Sequence, residues 1–206
     1  MKSRRSKHPP ITQIKNQLLS FLDKRALVFV GLMGAGKSVI GRRVSTILDL
    51  PFYDSDQEIE KAAQMTIPEL FKVYGELEFR SLEQRIILNL IKKKPLVLAT
   101  GGGAYINENI RNTIHENGIS IWLKADLNIL IQRILKGRQT RPLLQTENPK
   151  ETMQKLMEQR YPIYAKANLT INSHQRNSHT VAKNVIRSVQ HYLYKEIDDR
   201  NNEHAS

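Results

Sequence analysis

Gly31-Leu32-Met33-Gly34-Ala35-Gly36-Lys37-Ser38 satisfies the pattern G-x-x-x-x-G-K-[ST], and its flanks decide the fold. Upstream, Ala26-Leu27-Val28-Phe29-Val30 is a short, continuously apolar run of the kind that forms a buried strand; downstream, Ser38 to Leu48 has helical spacing. A strand, a glycine-rich loop and a helix in this order make a phosphate cradle. Glycines at 31, 34 and 36 take positive φ and turn backbone N–H groups inward, and the helix N-terminus points at the anion. Lys37 adds a charge that reaches the β- and γ-phosphates, and Ser38 offers a hydroxyl to Mg²⁺. Gly34, Ala35, Gly36, Lys37, Ser38 and Val39 are the expected binding segment for a nucleoside triphosphate.

Working outward, strands and helices alternate, the pattern of a parallel α/β sheet. Leu50 to Asp56 reads as a short extended piece ending in two carboxylates, and Ile59 onward returns to helix. Thr66, Pro68 and Glu69 form an N-cap, an early proline and a first-turn acid, starting a helix that stops near Gly75. A second helix covers Leu77 to Ile91 and ends in Lys92-Lys93-Lys94-Pro95. Leu96 to Thr100 is another buried strand and runs into Gly101-Gly102-Gly103. A helix over 108–116, a strand over 119–123, a helix over 126–135, a basic Pro-bounded loop over 137–149, a helix over 150–159, a strand over 168–171 and a helix over 180–194 follow. The expected organisation is a basic extension over 1–25 with a short amphipathic helix, one domain over 26–196 with a lid at about 137–149, and a polar tail, frayed from Asp198, over 197–206.

Ligands of parallel α/β sheets bind outside the carboxyl ends of the strands, so the residues delivered there carry the chemistry. The first strand delivers the phosphate loop, the second Asp54 and Asp56, the third the glycine triplet. Asp54 and Asp56 alternate along an extended segment, so both can face one side while Ser55 turns away. Phosphoryl transfer needs a carboxylate near Mg²⁺ and a group that orients or deprotonates the accepting hydroxyl, and two acids can divide those jobs. The alternative is that one of the trio simply caps the following helix, a role suited to Asp56 or Ser55. The strand that supplies the metal-side acid in many P-loop proteins ends here as Leu98-Ala99-Thr100-Gly101, without one. Asp54 is then the candidate for that position.

Taken together, Phe52-Tyr53-Asp54-Ser55-Asp56 with Ile59-Glu60, Gly75-Glu76, Phe79-Arg80 with Glu83, Thr100 to Gly103, Arg141-Pro142-Leu143-Leu144, and Glu158 to Tyr164, in this order behind the loop, resemble the shikimate kinases. The resemblance covers Ala26 to the final helix. It implies a P-loop, nucleoside-monophosphate-kinase-like three-layer sandwich with a five-stranded parallel sheet. The activity it implies is transfer of the γ-phosphoryl of ATP to the 3-hydroxyl of shikimate, giving shikimate 3-phosphate and ADP on the route to chorismate and the aromatic amino acids. By position, Asp56 matches the acid that binds the accepting hydroxyl and acts as base, and Asp54 with Ser38 the Mg²⁺ side. Arg80 and Arg160 match the pair that holds the substrate carboxylate, and Gly101, Gly102 and Gly103 line the ring. Arg141 matches the lid arginine on the transferring phosphate, acting with Lys37, and Arg133 and Arg176 are the candidate adenine flanks. Guanidinium forks suit carboxylate and phosphate, though an isolated arginine is by default a surface ion pair. The chain departs from the family at Gln64, where a glycine is usual, so the turn there is expected to be reshaped.

Bulk properties limit the other readings. The chain has 206 residues, no cysteine and a formal net charge of +12. Without cysteine there is no disulfide or thiolate metal site, which fits a reducing cytoplasm. No apolar run is long enough to span a bilayer, and the basic start lacks the apolar stretch of a secretory signal. The positive charge is spread along the chain with no nucleic-acid-binding motif, so it reads as a field around a site for anionic substrates. A monomer acting on shikimate and ATP, with no nucleic-acid or membrane partner, is expected. The rivals are a kinase of another small acid such as gluconate, or a nucleotide-regulated binding module without catalysis.

Overall fold

The computed structural model describes residues 11–136, 148–174 and 177–203. Arg141, Arg176 and the lid positions 137–147 lie outside the described residues. The elements, in chain order, are α1 (Ile11–Leu22), β1 (Ala26–Val30), α2 (Lys37–Leu48), β2 (Phe52–Asp54), α3 (Ser55–Ala63), α4 (Ile67–Ile91), β3 (Val97–Ala99), α5 (Glu108–Asn117), β4 (Gly118–Lys124), α6 (Leu127–Lys136), α7 (Pro149–Tyr164), β5 (Leu169–Asn172) and α8 (Ser178–Glu203).

The five strands form one parallel sheet in the order β2-β3-β1-β4-β5. The central strand β1 is buried along its whole length, which is why its sequence is unbroken by polar residues. It pairs with β3 through Val28 and Leu98 and with β4 through Val28 and Ser120. The chain therefore leaves β1 toward one neighbour and returns on the other, and the two directions part at its carboxyl end. That crevice is where ligands of open α/β sheets bind. Helices α1, α2 and α8 pack on one another, α5 lies on β1 and β4, and α4 lies against α5. One core runs through the sheet and these helices, and a second, smaller apolar cluster of Ile59, Leu70 and Phe79 sits between α3 and α4.

Four local readings change. The acids do not lie on one extended segment: β2 ends at Asp54, helix α3 begins at Ser55, and the Asp54 carboxylate caps it, accepting from Asp56 N–H at 3.1 Å. A capping acid terminates the strand as soon as it can satisfy an orphan helix amide. The turn at Gln64 is not reshaped, since Gln64 itself adopts the left-handed conformation (φ 53°, ψ 31°) that a glycine would take. The tail expected over 197–206 is helix as far as Glu203, because Glu196 anchors it through Arg25 at 2.9 Å and Arg200 lies one turn on from that glutamate. Likewise α7 starts inside the expected lid boundary, capped by the Asn148 side chain with Pro149 as its first residue. Helix α1 is amphipathic as expected and buries Ile14, Leu18 and Leu22 in the main core. Among the described residues no helix is long and apolar enough to cross a membrane.

Candidate active site

The phosphate loop leaves β1 with positive φ at Gly31 (132°), Gly34 (79°) and Gly36 (94°), as its glycine spacing predicts. Gly36 is the residue before α2, so the loop amides and the helix N-terminus converge on one point. Lys37 is buried, and its Nζ donates to the carbonyls of Gly31 at 2.7 Å and Leu32 at 2.9 Å. Those bonds hold the ammonium at the mouth of the loop. Ser38 and Val39 stand exposed on the first turn of α2. Ala35 is buried within the loop, with its N–H donating to Leu32 O at 3.2 Å.

One cleft of about 1000 Å³ opens over the carboxyl ends of β1, β2 and β3. Gly34, Gly36, Lys37, Ser38 and Val39 line its phosphate end. Asp54, Asp56, Arg80, Arg160 and the 101–103 triplet line the rest, so these expected site residues meet although α7 and β2 are far apart in sequence. Arg133 also reaches the cleft. Its Nη2 donates to Ser173 O at 2.6 Å, and its Nη1 lies 3.4 Å from the Gly34 and Ala35 carbonyls, so it ties α6 to the phosphate loop and to the end of β5.

The glycine triplet works by close approach. A Cβ on Gly101 would sit 2.6 Å from Glu83 Oε1 and 2.7 Å from Asp56 Oδ1, and one on Gly103 would sit 2.6 Å from Arg80 Nη1. The missing side chains let an acid pair and a guanidinium crowd around the turn. Gly101 N–H donates to Ser55 Oγ at 2.8 Å, which pins the turn to the start of α3. Ser55 is fully buried, so the residue expected to turn away instead fixes the acids relative to the triplet. Alternation along a strand could not reveal this, because the strand ends one residue earlier.

Arg80 is oriented by two acids on its own helix, Glu83 Oε2 at 2.7 Å and Glu76 Oε1 at 3.1 Å. Burial lowers its pKa, but the charges of Glu83 and Glu76 more than offset this and hold it above the ordinary value. Glu83 itself is only 1% exposed, and burial raises its pKa despite the Arg80 ion pair. Its Oε1, the oxygen over Gly101, has no hydrogen-bond partner among the described residues. Arg160 Nη1 donates to Gly102 O at 3.0 Å, and the Tyr164 hydroxyl donates to the same oxygen. The residues that sequence reasoning did not place in the site are Ser55, Glu83 and Tyr164. The last two stand three and four positions after an expected arginine on the same helix, a spacing that places them on its face.

The arrangement therefore offers an anion cradle at one end and, along the rest of the cleft, an acid and two arginines. Comparison with known proteins agrees. The family model for shikimate kinase matches residues 33–190. A shikimate kinase of Bartonella henselae is 77% identical over 206 residues, covering 100% of this chain and 98% of its own length, and one of Bartonella quintana is 75% identical over the same span. The structure of shikimate kinase from Acinetobacter baumannii in complex with shikimate superimposes with a TM-score of 0.79 at 35% identity, covering 84% of this chain and 96% of that one. With the cradle, the acid and the paired arginines in one cleft and relatives alike along the whole chain, the chain belongs to the shikimate kinase family, whose reaction is ATP-dependent phosphorylation of shikimate.

Proposed function

We propose that the cleft binds ATP at residues 34–39 and shikimate between Asp56, Arg80, Arg160 and the 101–103 turn, and transfers the γ-phosphoryl group to the 3-hydroxyl. The observation that carries this reading is that one continuous cleft is lined by the phosphate loop, the Asp56 carboxylate and the Arg80 and Arg160 guanidinium groups. Arg80 and Arg160 take the substrate carboxylate, for which planar guanidinium forks are suited. Asp56 accepts the proton of the 3-hydroxyl as its oxygen attacks the γ-phosphorus and the bond to the β,γ-bridging oxygen breaks, releasing ADP. Lys37 exchanges its loop carbonyls for phosphate oxygens as negative charge arrives. Arg133 closes the adenine side of the cleft.

The donor set fits Mg²⁺. The Ser38 hydroxyl and the Asp54 carboxylate both line the cleft, and both are hard oxygen groups that would hold the ion. An ion with few protein ligands takes the remainder from phosphates and water, as Mg²⁺ prefers. When bound it would neutralise charge on the β- and γ-phosphates.

The test is ADP release by the purified protein with ATP and Mg²⁺ against shikimate, quinate and gluconate. Turnover with shikimate and not with gluconate is expected, and no stimulation by shikimate would overturn the reading. Asp56→Asn is expected to cut kcat by about 10²–10⁴-fold, the usual contribution of a general base, with ATP binding unchanged.

A further inference from the structure

Two residues one turn apart on α7 share a single acceptor. Arg160 Nη1 donates to the Gly102 carbonyl oxygen at 3.0 Å, and the Tyr164 hydroxyl donates to that oxygen too. Positions i and i+4 lie on one face of a helix, so both side chains reach the turn together. Their freedom differs. Tyr164 is 0% exposed, with its ring against Trp122, Tyr105 and Tyr161, whereas Arg160 is half-buried and opens onto the cleft. Burial pushes the Tyr164 phenol up to about 12, so it stays a proton donor at any working pH.

A guanidinium that takes a carboxylate through its fork turns its N–H groups toward that carboxylate. A fork built through Nη1 competes with the bond that the same nitrogen makes to Gly102 O. A carbonyl oxygen has two lone pairs and accepts from two donors at once, but losing every donor would leave it desolvated and unpaired. We propose that Tyr164 is a positioning residue for the acceptor: its hydroxyl keeps hold of the Gly102 carbonyl, and with it the 101–103 turn, while Arg160 exchanges that carbonyl for the substrate carboxylate. This rests on the assignment of Arg160 to the carboxylate given above. The turn is then held from both sides, by Ser55 Oγ on the Gly101 amide and by Tyr164 on the Gly102 carbonyl. Arg160 is the donor that exchanges.

Tyr164→Phe keeps the ring and removes only the hydroxyl. The KM for shikimate is expected to rise about tenfold, the equivalent of one hydrogen bond, with kcat and the KM for ATP unchanged. A purely structural tyrosine would lower thermal stability and change both KM values together or neither, and either pattern overturns the proposal. Tyr105→Phe is the control. It removes another buried phenol of the same cluster, 3.4 Å from Ser120 Oγ, and leaves both KM values as they are. Arg160→Lys separates the two readings: an unchanged KM for shikimate in that variant removes the carboxylate assignment. A raised KM there, with no change in Tyr164→Phe, removes the Tyr164 role alone. Should Tyr164→Phe fail to fold, carbonyl-¹³C glycine labelling of the unmodified protein decides. The Gly102 resonance is expected to keep a hydrogen-bonded shift at saturating shikimate, and movement to that of an unbonded carbonyl overturns the proposal.

Discussion

At the phosphate end of the cleft, Gly31 to Ser38 supply the whole cradle in one stretch, and its shape is set by three positive φ angles. The acceptor end instead gathers Asp56 from α3, Arg80 and Glu83 from α4, a glycine turn after β3, and Arg160 and Tyr164 from α7. Backbone dihedrals shape the first region, and side chains bonded across the fold shape the second. The two should therefore respond differently to damage. A strained loop residue fails by costing stability, whereas a crowded acceptor turn fails by misplacing the reacting groups.

Glycine-to-alanine changes at the two ends test this directly. At Gly101 the new methyl would meet two carboxylate tips, Glu83 Oε1 at 2.6 Å and Asp56 Oδ1 at 2.7 Å. Side-chain ends can move, so the fold should survive while the base is displaced. A loss of roughly 10²-fold in kcat/KM for shikimate is expected, the cost of a displacement on the order of 1 Å, with ATP affinity intact. Steady-state kinetics in both substrates checks it. At Gly31 the methyl would meet the Leu123 backbone carbonyl at 2.9 Å, and its φ of 132° is one that side chains rarely adopt. Gly31→Ala should therefore cost about 1–3 kcal/mol of stability and weaken ATP binding first, measured by denaturant unfolding and nucleotide titration. If both variants lost stability equally, the contrast between the ends would fail.

Glu83 sharpens the comparison, since it is the buried acid of the acceptor end. Its pKa is raised by burial, so the folded protein binds its proton more tightly than the unfolded chain. Stability from this group is present at low pH and is lost as pH climbs from the ordinary glutamate range through the raised folded value. Glu83→Gln should flatten that fall in stability, seen in melting curves across mildly acidic pH. It should also raise the KM for shikimate several-fold by loosening Arg80, which would retain Glu76 alone. A steeper pH dependence in the variant would contradict the assignment. The smallest effect is expected at Gln64, which is not itself among the residues lining the cleft. Relieving its left-handed backbone with Gln64→Gly should stabilise the protein by about 0.5–1 kcal/mol with kinetics unchanged, read by denaturant midpoint.

Much of this was legible in the chain. The phosphate loop reads directly because its function depends on local backbone geometry, which residue type controls at short range. The helix cap at Thr66 reads for the same reason, and the structure bears it out as a full capping box with Glu69. Misreadings fall where one residue has two local options. Asp54 could continue a strand or cap a helix, and the cap won because the orphan amide of Asp56 lay within reach. Glu196 drew the final helix to Glu203 through Arg25, a partner 171 positions away that no local pattern announces.

By itself the sequence determined the alternation of strands and helices, the phosphate loop and the residue types available for phosphoryl transfer, because each depends on contacts within a few residues. Only the tertiary structure decided that Ser55 and Tyr164 clamp the 101–103 turn and that Glu83 stands over Gly101 beside Asp56. These contacts join segments separated by 18 to 62 positions, and their distances follow from how the sheet stacks β3 beside β1 and how α7 packs back over its end. The chemistry of each side chain is written in the sequence; its partner is set by packing.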